Sequence, residues 1–144
     1  EQGLTYSIYS YTTAFADTGL FSIYASMNPS QAEAVYKGIA AEIAAVRKEG
    51  ISEKILNVTK EQMISNFIIG SESTLNRMTA AGSAMLLRGK VQEMEEVIEK
   101  IEAVTQKDLA EVAELIFANP KMSYSAVGNL KGVDFANTVE KLFS

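Results

Sequence analysis

Two short runs of alternating character open the chain, and a long stretch of helical periodicity follows. Residues 4–13 (LTYSIYSYTT) are rich in Tyr, Thr and Ile, the residue types that fit a pleated, half-buried surface. Ala16-Asp17-Thr18-Gly19 is a turn signal, and residues 20–27 (LFSIYASM) resume the pattern. There Phe21, Ile23, Ala25 and Met27 fall on one face, with Ser22, Tyr24 and Ser26 on the other. The two runs predict an antiparallel hairpin with one face turned to a core.

From Asn28-Pro29 onward the period changes. Ser30-Gln31-Ala32-Glu33 has the spacing of a capping box, and residues 31–48 predict an amphipathic helix. Its apolar stripe is Val35, Ile39, Ile43 and Val46, opposite Glu33, Lys37, Glu42 and Arg47. Gly50 sits where a glycine ends a helix. Ile51 and Leu56 flank Ser52 at the spacing of a hydrophobic staple, which predicts a helix over 53–69. Gly70-Ser71-Glu72-Ser73 interrupts the pattern before helices over 74–88 and about 91–102. Thr105 and Asp108 form a second capping box at the head of a helix over 106–117, which Pro120 ends. Residues 121–128 (KMSYSAVG) alternate as a third strand, and 132–142 predict a closing helix. The expected class is α+β: a mostly antiparallel sheet (strands about 4–13, 20–27 and 121–128) with helices packed on one face.

Composition changes this picture by exclusion. The 144 residues include no histidine and no cysteine. Catalytic zinc draws its ligands from His, Cys, Asp and Glu, with imidazole the usual one, so a hydrolytic zinc site on this chain is excluded. Ser-His-Asp and Cys-His nucleophilic arrangements fall with it. The net charge of -5 argues against nucleic acid and anionic membrane as partners. No apolar run approaches the ~20 residues of a membrane span. The cysteine-free composition fits a reducing compartment, so a cytoplasmic location is expected. The chain opens on Glu1 with its first strand following almost at once, which is expected of part of one α+β domain whose N-terminal portion lies elsewhere.

Candidate chemistry is sparse. Ser71, Ser73 and Thr74 lack a base and read as helix-cap hydroxyls. Arg77 reads as the partner of a carboxylate such as Glu72. Glu93, Glu95, Glu96, Glu99 and Glu102 read as a solvated helix face, with Glu96 and Lys100 as an i,i+4 pair. Met63, Met78, Met85 and Met94 read as core filler.

Three stretches together resemble one family. They are Gly3-Leu4-Thr5-Tyr6-Ser7-Ile8-Tyr9-Ser10 with Asp17-Thr18-Gly19-Leu20-Phe21 and Ile23-Tyr24-Ala25, then Glu72-Ser73-Thr74-Leu75-Asn76-Arg77-Met78, then Ile101-Glu102-Ala103-Val104-Thr105-Gln106-Lys107-Asp108-Leu109-Ala110-Glu111-Val112-Ala113. Their order and spacing resemble the second half of the C-terminal domain of pitrilysin/insulinase metallopeptidases, in the bacterial processing-peptidase-like branch. The resemblance implies a zinc endopeptidase of two similar α+β domains closing around a peptide. Its H-x-x-E-H zinc motif would lie in the N-terminal domain. That domain and a peptide substrate are the implied partners, and zinc belongs to the parent protein. The C-terminal domain of the family lends an Arg/Tyr pair to the substrate. Tyr6 matches that Tyr, and the Arg falls upstream of Glu1. The plainer reading of Tyr6 is a strand tyrosine packing in its sheet, as expected of Tyr9 and Tyr11. Non-catalytic homologues that bind peptides or scaffold assemblies share the fold and form the alternative. Self-association of the chain is expected as well, through an uncovered sheet edge or face.

Overall fold

The computed structural model describes residues 3–118 and 122–129. The elements run β1 (Ser7–Ala14), β2 (Gly19–Ser26), a 3-10 turn (Pro29–Gln31), then α1 (Ala32–Glu49), α2 (Glu53–Ser71), α3 (Thr74–Arg88), α4 (Met94–Ala103) and α5 (Gln106–Phe117). This is the α+β class expected. The chain divides into two units, one holding residues up to Glu49 and again from Val112, the other Gly50–Glu111.

In the first unit β1 and β2 form a two-stranded antiparallel sheet, with Ser7 opposite Ser26 and Ala14 opposite Gly19. The Phe15 N–H donates to the Thr18 carbonyl at 2.8 Å and closes the turn. Gly19 suits a close approach there, since a Cβ would stand a tight 3.3 Å from the Thr13 carbonyl oxygen. Directly opposed side chains stabilise such a ladder. Tyr9 and Tyr24 are opposed, and their rings stack at 5.0 Å, while Tyr11 lies 5.9 Å from Tyr9. On the other face Phe21 meets Phe117 of α5 edge-on at 5.5 Å.

Helix α1 buries Ala32 and Val35, half-buries Ile39, Ile43 and Val46, and leaves Glu33, Lys37, Glu42 and Arg47 exposed, as its stripe predicts. Its entry differs from the expected capping box. Asn28, not Ser30, is the capping residue: its Oδ1 accepts from the Ser30 backbone at 3.1 Å and from the Ser30 hydroxyl at 2.9 Å. Pro29 at the first turn position leaves Asn28 extended, where its short side chain reaches back over the turn.

In the second unit Ser52 caps α2, its hydroxyl accepting from the Ile55 N–H at 3.4 Å, and Leu56 is buried just behind it. Two tethers link elements far apart in sequence. Lys60 donates its ammonium to the Glu102 carbonyl at 2.7 Å, and the Gln106 side-chain amide donates to the Ile51 carbonyl at 2.8 Å. The interruption after α2 is a built corner: Ser71 donates to the Ile68 carbonyl (2.6 Å), Asn76 donates its side-chain amide to the Gly70 carbonyl (3.1 Å), and Ser73 caps α3. Gly89 ends α3 at φ 72°, a left-handed conformation that glycine adopts without strain.

Other expectations are corrected. Helix α4 begins at Met94 rather than near 91, because Glu93 is extended and takes the cap position. Glu96 pairs with Lys90 at 3.9 Å, and no Glu96–Lys100 pair is formed among the described residues. Met63, Met78 and Met85 are exposed rather than core filler. Residues 122–129 form no strand, because alternation makes a strand only where a neighbouring backbone takes up its N–H and C=O groups, and among the described residues β1 and β2 pair only with each other. Lys121 and the helix expected over 132–142 lie outside the described residues.

Candidate functional site

Tyr6 stands immediately before β1. Its backbone N–H donates to the Ser26 carbonyl at 2.7 Å, which fixes its place at the open end of the hairpin. The side chain is 78% exposed and is in no ring contact among the described residues, unlike Tyr9 and Tyr11. Its hydroxyl has no hydrogen-bond partner among those residues, so it is free to donate to an incoming acceptor.

The remaining polar groups singled out in the sequence are structural or solvated. Ser71 and Ser73 bond to helix-end backbone groups, and Thr74 opens α3. Arg77 is exposed and does not pair with Glu72 among the described residues. An open hollow of about 300 Å³ lies between α2 and the start of α5, lined by Glu53, Leu56, Asn57, Lys60, Val104, Thr105 and Gln106. Lys60 and Gln106 are already committed there to backbone carbonyls. Sequence reading missed both tethers, whose partners lie 42 and 55 residues away and leave no local signal.

At the head of α5 the Asp108 carboxylate accepts from the Thr105 backbone N–H and hydroxyl, both at 2.7 Å, and the Asp108 N–H returns a bond to the Thr105 hydroxyl at 3.3 Å. The Thr105 hydroxyl and N–H hold the Asp108 carboxyl below its ordinary value of 3.8. Glu33 is lowered likewise, by the hydrogen bond and charge of Lys37 at 2.7 Å. Burial pushes the Tyr36 phenol up. A depressed carboxyl stabilises the fold above its unfolded value, and that contribution is lost as pH falls through the lower folded value. Acid titration followed by the amide signals of α5 is therefore expected to show fraying of Gln106–Leu109 only below the ordinary aspartate range. Asp108→Asn should fray that turn at neutral pH and flatten its pH dependence.

The donor set does not fit zinc. The chain has neither His nor Cys, and no group of three acidic side chains is close enough to hold a metal ion among the described residues.

Residues 1–63 match the family model described as the Peptidase M16 inactive domain. The chain is 32% identical over 117 residues, 81% of its length, to the uncharacterized zinc protease YmxG of Bacillus subtilis (strain 168). It is 33% identical over 131 residues, 91% of its length, to the uncharacterized zinc protease SCO5738 of Streptomyces coelicolor. A more distant relative, 25% identical over 92% of the chain, is the probable mitochondrial-processing peptidase subunit alpha-2 of Arabidopsis thaliana. The chain spans only 29%, 28% and 26% of the length of these three relatives. By relatives 32% and 33% identical that align over most of its length, the chain belongs to the M16 metallopeptidases, and its residues 1–63 match their inactive type of domain.

Proposed function

We propose that this chain is the second half of the C-terminal domain of a zinc-dependent, processing-peptidase-like endopeptidase. It encloses the peptide while a separate N-terminal domain holds the metal and performs the cleavage. The single observation that carries the reading is the match of residues 1–63 to a peptidase domain described as inactive, in a chain without histidine or cysteine. The names of the bacterial relatives support it. In this reading Tyr6 donates its phenol to a substrate carbonyl or to the oxyanion that develops from it, which its unbonded, outward hydroxyl supports. The partners are the N-terminal metal-binding domain and the peptide, and the location is cytoplasmic. The rest of the C-terminal domain would belong to the same polypeptide, a reading supported by the short span of the relatives and by the exposed hairpin.

A second reading is a peptide-binding or scaffold subunit that cleaves nothing; the relative named as a processing-peptidase subunit supports only the part of it that makes the parent one member of an assembly. The two separate on where zinc and cleavage reside when the whole polypeptide is compared with this chain. On its own, the chain is further proposed to self-associate. That is supported by Tyr9, Tyr11, Tyr24, Leu20, Met78, Leu86 and other large apolar side chains left on its surface.

A further inference from the structure

We infer that a β-bulge at Tyr6 and Ser7, anchored on the Ser26 carbonyl, positions the Tyr6 phenol for substrate. The inference rests on the peptidase reading proposed above and adds to it the device that places its one donor. The hairpin register is regular from Ala14 opposite Gly19 to Ser7 opposite Ser26. Carried one step further it would oppose Tyr6 to Met27. The Tyr6 N–H donates instead to the Ser26 carbonyl at 2.7 Å, so Tyr6 and Ser7 are both set against Ser26. An antiparallel ladder exchanges bonds at every second pair, and counting from the Phe15–Thr18 bond makes Ser7–Ser26 such a pair. Two residues set against one make a bulge, and the backbone bends at Tyr6.

A bulge re-aims a side chain, and bulges are common beside active sites. Uninterrupted alternation would put Tyr6 on the face of Ile8, Ser10 and Thr12. Thr12 is opposed to Phe21, whose ring meets Phe117, so that face is the one turned to α5. The bulge takes Tyr6 out of the alternation, and its side chain stands 78% exposed. The anchoring bond is made wholly between β1 and β2, so the phenol is carried on paired backbone rather than on a loop. A donor stabilises an oxyanion best when its place is set before the charge develops. Displacement by about 1 Å costs on the order of 10²-fold in rate. The Ser26 carbonyl is therefore a positioning group that acts through Tyr6.

The test replaces the Thr5–Tyr6 amide by an ester in the whole polypeptide, which deletes the Tyr6 N–H and keeps the phenol. Cleavage of an unfolded polypeptide is measured with and without the ester, in the wild type and in Tyr6→Phe. In the wild type the ester is expected to lower kcat on the order of 10-fold with KM held, the sign of a contact made only in the transition state. In Tyr6→Phe the same ester should lower kcat no further, because the phenol it positions is gone. Equal losses in both backgrounds show a hairpin that needs the bond for itself, and they overturn the inference. An ester without effect, where Tyr6→Phe lowers kcat, overturns the bulge and leaves the role of Tyr6 standing. Full activity in Tyr6→Phe overturns that role and the inference together, and a whole polypeptide that cleaves nothing overturns the peptidase reading with them. Amide exchange of the unmodified polypeptide is a second readout that depends on neither the ester nor cleavage. Tyr6 is expected to exchange as slowly as Ser7, and exchange at the rate of an unstructured peptide overturns the bulge.

Discussion

Replacing Leu56 by alanine is expected to destabilise the unit Gly50–Glu111 by about 2–4 kcal/mol, the range for truncating a buried leucine. The buried apolar residues among those described are Ala32, Val35, Leu56 and Ala84, and Leu56 has the largest side chain of the four. It sits one turn into α2, behind the Ser52 cap and beside the Lys60 and Gln106 tethers. Its loss opens a void where α2 meets the α4–α5 connection, with no other large buried side chain at hand to refill it. Thermal or denaturant unfolding followed by circular dichroism checks this. Ile55→Ala makes the contrast, since Ile55 is its exposed neighbour on the same helix and is expected to change stability by no more than about 0.5 kcal/mol. Equal costs at the two positions would show that α2 is not anchored through Leu56.

Exchanging Tyr6 for phenylalanine in the whole polypeptide is expected to lower kcat/KM for an unfolded polypeptide substrate on the order of 10²-fold, the usual effect of removing one oxyanion donor. The fold should be indifferent to the change. The ring is exposed and its hydroxyl bonds to nothing among the described residues, so the melting temperature should hold. Loss of activity at constant stability separates a substrate contact from a strand tyrosine. Tyr9→Phe serves as the comparison, because Tyr9 is stacked on Tyr24, and it is expected to leave kcat/KM unchanged. If Tyr6→Phe retains full activity, Tyr6 has no role beyond the hairpin.

What could be read from sequence and what could not divide along one physical line. Features decided by a few neighbouring residues were legible: the Ser52 and Ser73 caps, the Thr105–Asp108 box, the Gly89 terminus and the stripe of α1. Each depends on backbone groups within one turn, so spacing suffices. The misplaced cap at Ser30 was a contest between two local acceptors, and Pro29 decided it in favour of Asn28. Features decided by distant partners were not legible. The alternation of residues 122–128 resembles that of β2, yet only β2 has a ladder partner. The tethers from Lys60 and Gln106 are ordinary side chains until the fold brings a carbonyl within reach. The methionines have the composition of a core without its burial, because burial depends on what lies opposite them. Of the candidate site, only the family resemblance singled out Tyr6 among the six tyrosines, and its free hydroxyl became visible only in three dimensions.

We propose that this chain is part of a zinc peptidase and contributes no metal chemistry itself. That proposal is tested most directly by following zinc content and cleavage of an unfolded polypeptide for the purified chain and for the whole polypeptide side by side. The whole polypeptide is expected to retain zinc and to lose cleavage to a chelator, while the chain alone neither binds zinc, nor gains thermal stability from it, nor cleaves. Zinc-dependent, chelator-sensitive cleavage by the chain alone would contradict it.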